Sequence, residues 1–248
     1  LFEDGDSVVF DCGPCGPDEN PGHAHADFLS IEATANGKRF LVDTGVPTYT
    51  AGGARDRARS AEAHNGPRLV GEEPLEFWKS FRVARRGYAG LLDSSGFEET
   101  APLQVAGWQS GYFHLGTDVR RFVGLWPGRA LLVADLWQGF AENAAVRFLI
   151  PGVWGANERG GFVSGMTTIS ISPLIGSAND RRGSSHWVRF GVEEAAHQID
   201  VFPRGYADGA RCAVVFSWDA DFEPPVDTAL TKLFEQLRVA IPMGDNLV

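Results

Sequence analysis

The chain has 248 residues, 44% hydrophobic and 11% aromatic, enough apolar material for a large buried core and too much for a disordered chain. Its 32 acidic and 22 basic residues give a net charge of −10, which excludes a nucleic-acid surface because phosphate binding needs concentrated Lys and Arg; a polyanionic substrate is disfavoured more weakly. No apolar run is long enough to span a membrane, no signal peptide is visible after Leu1, and three cysteines are too few for a disulfide framework.

Scattered Gly and Pro among Val, Phe and Trp point to short strands separated by turns, an all-β chain. A strand is expected at 7–11, and a Gly/Pro-rich turn segment at 13–22 then delivers the chain to His23. Residues 26–35 alternate in part and end at Asn36-Gly37, a hairpin signal, with 38–43 as the returning strand. Residues 51–66, rich in Ala, Arg and Gly, read as a long loop or short helix leading to His64-Asn65. Further strands are expected at 77–86, 111–115, 120–126, 130–136, 146–150, 187–192, 197–202 and 212–218. Such regular short strands suit a sandwich. Only 228–239 has helical spacing, through Leu230, Leu233, Phe234 and Leu237, and predicts a terminal amphipathic helix on a sheet.

Within Gly22-His23-Ala24-His25-Ala26-Asp27, two imidazoles and a carboxylate stand at i, i+2 and i+4, which an extended strand points to one face. Imidazole suits zinc, and a carboxylate either ligates or orients a histidine; an ordinary polar face is the competing reading. Asp43 alone reads as a turn residue before Gly45. The basic segments 55–59 and 82–86 could bind carboxylates through their local field. Cys12-Gly13-Pro14-Cys15 has the spacing of a redox or metal pair and reads here as incidental to a turn. His114, His186 and His197 match no site.

Read together, Gly22-His23-Ala24-His25-Ala26-Asp27-Phe28-Leu29-Ser30, Asn36-Gly37, Leu41-Val42-Asp43-Thr44-Gly45, Tyr49 and Arg59-Ser60-Ala61-Glu62-Ala63-His64-Asn65 resemble the heparinase II/III-like polysaccharide lyases. The later Phe81 to Arg86, Gly111-Tyr112 and Arg120-Arg121 also look like the β domain of that family. The resemblance implies a large antiparallel β-sandwich of the supersandwich type spanning 1–248, the family's N-terminal (α/α) toroid being absent from this chain. It implies a zinc site of His25, Asp43 and His64, with Asp27 orienting a ligand and Asn65 fixing the loop that carries His64. It places His23 at the catalytic centre, against a reading as a structural histidine, and Tyr49 and Arg59 beside the cleft, against readings as packing and surface charge.

The implied reaction is cleavage of a uronic-acid-containing polysaccharide by β-elimination, with a Tyr and an Asn or His supplied by the toroid. The isolated chain is therefore expected to be inactive, with zinc in a structural part. An acidic chain suits alginate-like or lightly sulfated glycans better than heparin. A periplasmic or secreted location is implied by the resemblance alone. A uronyl C5-epimerase, separable by product analysis, and a non-catalytic carbohydrate-binding module are the alternatives.

Overall fold

The computed structural model describes residues 1–3, 5–93, 97, 100–158, 160–178 and 182–243. Its longer elements are β1 (Asp6–Phe10), β2 (Ile31–Ala35), β3 (Lys38–Leu41), α1 (Gly53–Arg59), β4 (Pro67–Leu69), β5 (Leu103–Gln109), β6 (Thr117–Trp126), β7 (Ala130–Gly139), β8 (Ala144–Pro151), β9 (Thr167–Ile175), β10 (Arg182–Arg189), β11 (Val192–Phe202), β12 (Gly209–Ser217) and α2 (Asp227–Val239). The strand pairings are antiparallel, so the expected all-β antiparallel fold is present.

One layer is built from two sheets. Strands β1, β2 and β3 form a meander with Phe2–Glu3 at its edge, and β4, β8, β11 and β10 form the second sheet in that order. The Val42 N–H donates to the Leu149 carbonyl at 3.0 Å and joins them. The other layer is a nine-stranded sheet whose long members run β9, β12, β7, β6, β5. Asn36 and Gly37 close the β2–β3 hairpin at φ 50 and 75, the left-handed pair that a two-residue type I′ turn requires.

The central strands of the nine-stranded sheet, β12, β7 and β6, are buried on both faces. Along β7, Leu131, Val133 and Trp137 enter the core between the layers, while Ala130, Leu132, Ala134 and Leu136 face the opposite way. The outer face is covered by α2 through the four residues whose helical spacing predicts it, Leu230, Leu233, Phe234 and Leu237. Arg120 Nη1 donates to the carbonyls of Leu237, Arg238 and Ala240 at 2.9, 3.0 and 2.9 Å, satisfying groups that a helix C-terminus leaves open.

Several expected strands are replaced by turns. The 26–35 segment is extended only from Ile31, because Ser30 N–H turns back to the Asp27 carbonyl at 2.9 Å and Leu29 adopts φ 60. Residues 111–115 contain a 3-10 turn, Phe113–Leu115, and 77–86 is two short strands around a 3-10 turn at Lys79–Phe81. The 187–192 segment spans the β10–β11 hairpin turn, with Gly191 at φ 75. Strands β5 and β9 escape the sequence reading: Gly107 interrupts the first, and Ser170, Ser172 and a Pro173 bulge dilute the second.

Arg121 and Asp135 face each other across β6 and β7, at 0% and 1% exposure. Arg121 Nε and Nη2 donate to the two Asp135 oxygens at 2.6 and 2.9 Å, and Nη1 donates to the carbonyls of Leu29 and Asn65 at 2.7 and 2.5 Å. The guanidinium thus spans the core and holds two loops of the facing layer. Replacing Arg121 with Met strands the Asp135 carboxylate, and is expected to cost about 3–5 kcal/mol in chemical denaturation. A cost under ~1 kcal/mol would remove this role.

Candidate metal and substrate site

Residues 21–30 cross the edge of the layer as a 3-10 turn, Pro21–His23, followed by irregular chain, so the alternation of a strand does not aim the side chains here. Packing does. Arg59, at the end of α1 and 1% exposed, donates from Nε to the Ala24 carbonyl at 2.9 Å and from Nη1 to the Lys79 carbonyl at 3.1 Å, with its guanidinium over Phe77. Burial pushes Arg59 down to about 10. Arg59 is thus buried and is no surface charge, and it braces the loop from behind.

The result separates His23 from His25. Donor atoms of His25, Asp27 and His64 all lie within 4.8 Å of one another. His23 is exposed, its ring edge-on to Tyr49 at 5.3 Å and to Phe81 at 6.4 Å between centroids. Tyr49 stacks on Phe190 at 5.4 Å, so an open aromatic wall flanks the three-donor cluster. Arg55 links the two: its Nη1 lies 3.2 Å from His25 Nε2 and its guanidinium 5.2 Å from the Tyr49 ring centroid.

Asp43 lies two residues past the end of β3, and its Oδ2 is 2.6 Å from His64 Nδ1 while Oδ1 accepts the Gly45 N–H at 2.8 Å. Burial would raise the Asp43 pKa, but the His64 imidazole, the Gly45 N–H and His25 outweigh it and hold the carboxylate at about 2. His64 is buried, which disfavours its charge, yet the Asp43 carboxylate raises its pKa on balance. His25 goes the other way: burial, then His64 and Arg55, lower it to about 3, so the ring is neutral.

Asn65 is fully buried and knits three segments. Its Nδ2 donates to the carbonyls of Ile31 and Val42 at 2.9 Å each, and its Oδ1 accepts the Leu149 N–H at 2.9 Å. The loop bearing His64 is thereby pinned to both sheets of its layer.

These groups fit a divalent metal ion. With Nδ1 against Asp43, His64 directs Nε2 inward, and that buried nitrogen has no hydrogen-bond partner. A carboxylate on one imidazole nitrogen commonly orients the other toward a metal. Asp11, unremarked in the sequence reading, adds to the demand for a cation: burial and then the neighbouring Asp27 raise its pKa. In this arrangement Asp27 stands in the donor cluster and Asp43 behind His64, the reverse of the parts that the resemblance implies for the two carboxylates. Cys12 and Cys15 are free thiols raised by burial, and they take no part in a metal-type cluster among the described residues.

Residues 4–200 match the family described as Heparinase II/III-like, C-terminal. The chain belongs to that family. Among solved structures, this heparinase II/III-like chain is similar to heparan sulfate lyase HepC from Pedobacter heparinus, at 16% identity and a TM-score of 0.61 over 88% of the chain and 34% of HepC. It is also similar to Heparinase III, at 18% identity and 0.61 over 85% of the chain and 33% of that protein. The chain thus spans about a third of the length of these structures, and at such identity they attest the fold alone. No curated protein matches it.

Two outcomes are expected here. Asp27→Asn should abolish stoichiometric metal retention, measured by elemental analysis after dialysis, whereas Asp43→Asn should weaken affinity by about 10–100-fold; the opposite ranking would make Asp43 the ligand. Gly45 has φ 74, and a Cβ there would lie 2.4 Å from the Trp187 carbonyl oxygen. Gly45→Ala should therefore lower stability by about 1–3 kcal/mol, read from urea titration; an unchanged midpoint would show that the chain yields at this point.

Proposed function

We propose that the chain is the β domain of a polysaccharide lyase that cleaves a uronic-acid-containing polysaccharide by β-elimination. The observation that carries this reading is the placement of exposed His23 against Tyr49 and Phe81, an aromatic wall that Arg55 joins to the cluster of His25, Asp27 and His64. Open aromatic faces suit sugar rings, and a solvent-facing imidazole suits proton transfer.

β-Elimination removes the C5 proton beside the uronate carboxylate and expels the C4 oxygen, leaving a double bond between C4 and C5. It needs the carboxylate charge neutralised, a base at C5 and an acid at O4. In this reading His23 touches the substrate at the reacting sugar and exchanges a proton there, and Tyr49 lines the same wall. Arg55 carries positive charge behind both. The remaining acid and base groups come from a helical toroid domain of the same protein, which faces the β domain across the cleft. Such a lyase acts outside the cytoplasm, secreted or in the periplasm, where polysaccharide is met.

Zinc is the metal we assign to the cluster, since two imidazoles and a carboxylate are donors it favours. When bound it supplies a cross-link between the loops of His25 and His64 and cancels carboxylate charge. His25 and His64 hold it, with Asp27 or Asp43 as the third donor. Chelation should lower the melting temperature and zinc should restore it, followed by circular dichroism; a melting curve indifferent to chelator would dissociate the cluster from zinc.

The reaction is tested by ultraviolet absorbance of the unsaturated product in the longest natural polypeptide that contains these residues. His23→Ala is expected to reduce turnover by about 10²–10⁴-fold with the fold intact. The 248-residue chain alone should form no product. Turnover unaffected by His23→Ala would refute the assignment, and an inverted uronate without unsaturation would identify an epimerase.

A further inference from the structure

Behind the site just described lies a cavity of about 450 Å³, between α1 and the β10–β11 hairpin. Thr44 and Ala63, chain neighbours of Asp43 and His64, line it, whereas Asp43 and His64 do not. Helix α1 separates the two places. Its Arg55 and Arg59, four residues apart on one face, serve the histidine loop, while Ala54, Arg57 and Ala58 turn toward the cavity.

Arginine dominates this cavity in a chain of net charge −10. Arg147 is 3% exposed, and the hydrogen bond of its guanidinium goes to a hydroxyl, Nη1 to Thr44 Oγ1 at 2.8 Å. Its Nε is buried without a partner, and among the described residues it forms no ion pair. Arg68, with an 11% exposed side chain, has a buried Nε in the same condition. Arg68 shares the single carboxylate of Asp200, at 3.5 Å, with Arg182, which also pairs with it. The lining glutamates, Glu62 and Glu193, are exposed and sit at the rim, and Glu193 accepts from the Ser185 hydroxyl.

A buried guanidinium with no carboxylate bonded to it is costly, and an oxyanion that completes its N–H groups offsets that cost. Burial pushes Arg147 down to about 10, although the Asp43 and Asp200 carboxylates, neither of them ion-paired with it, pull the other way. The planar fork of arginine matches an oxyanion through paired N–H groups, and half-buried Trp187 on the cavity wall offers an apolar face for a sugar ring.

We infer that this cavity is an oxyanion-binding site, distinct from the histidine cluster, that receives the carboxylate or sulfate group of an acidic sugar on Arg147 and Arg68. The oxyanion site stands on the cavity itself; its assignment to an acidic sugar rests on the polysaccharide reading above. It would hold a part of the glycan other than the sugar at His23.

The test is calorimetric titration of the 248-residue chain with inorganic sulfate, glucuronate and glucosamine 6-sulfate. Saturable binding of sulfate and at least one sugar is expected, and which sugar binds names the carboxylate or the ester as the source. Arg147→Met should weaken binding about tenfold or more. Arg57→Glu, at an exposed position on the cavity mouth, should weaken it in the same direction and serves where Arg147→Met does not fold. Saturation by none of the three probes, or affinity unchanged in Arg57→Glu and in folded Arg147→Met, overturns the site. Binding of sulfate but of neither sugar overturns the acidic-sugar assignment. Since these readouts are independent of turnover, their failure alongside an active His23 enzyme counts against this inference alone.

Discussion

The guanidinium of Arg121 is the point where the two layers and the loops of the site meet. It is fully buried, and four of its N–H contacts are taken, two by Asp135 and one each by the carbonyls of Leu29 and Asn65. A charge at this depth is costly unless it is paired and hydrogen-bonded, and these four bonds fix backbone that no sheet ladder holds. Leu29 bears the consequence. It sits at φ 60, unusual for a leucine, with its N–H on the Asp11 carbonyl at 2.7 Å and its own carbonyl on Arg121. The left-handed turn lets the chain leave the histidine loop and enter β2 without breaking either bond.

Donor type, more than net charge, makes the cluster ahead of that turn a candidate for a cation. Asp11, Asp27 and Asp43 surround two imidazoles, one held neutral by burial and one paired with a carboxylate. Arg55 supplies one guanidinium against His25, Arg59 donates to the carbonyls of Ala24 and Lys79, and Arg147 acts on Asp43 and His64 from the other side. Two imidazoles and a carboxylate within reach of one another are the donor types that a divalent ion takes.

A short helix organises both polar places. Helix α1 has only seven residues, yet its i, i+4 arginines brace the histidine loop while its other side closes the arginine-rich cavity. One side of the layer edge is thus rich in carboxylates and imidazoles, and the other is rich in guanidinium groups. Their backbone neighbours Asp43-Thr44 and Ala63-His64 divide between the two, the first pair in irregular chain past β3 and the second at the end of a 3-10 turn, Ala61–Ala63.

Much of this was legible in the sequence because it depends on local periodicity and motif. The all-β class, the Asn36-Gly37 hairpin, the strands around 120–126 and 130–136 and the apolar stripe of α2 follow from side-chain spacing. The histidine motif marked the region of the site and the family, to which the chain belongs. Spacing failed where turns impersonate strands, at 26–30 and 111–115, since apolar content there reflects burial of irregular chain. Arg121 and Asp135 left a readable signal, charges inside apolar strands, but their pairing depends on the register of β6 against β7. The burial of Arg59, the separation of His23 from His25 and the unpaired Arg147 left none. Those are properties of which distant segments pack together, and a side chain's charge and partners are decided by neighbours that only the folded chain brings near.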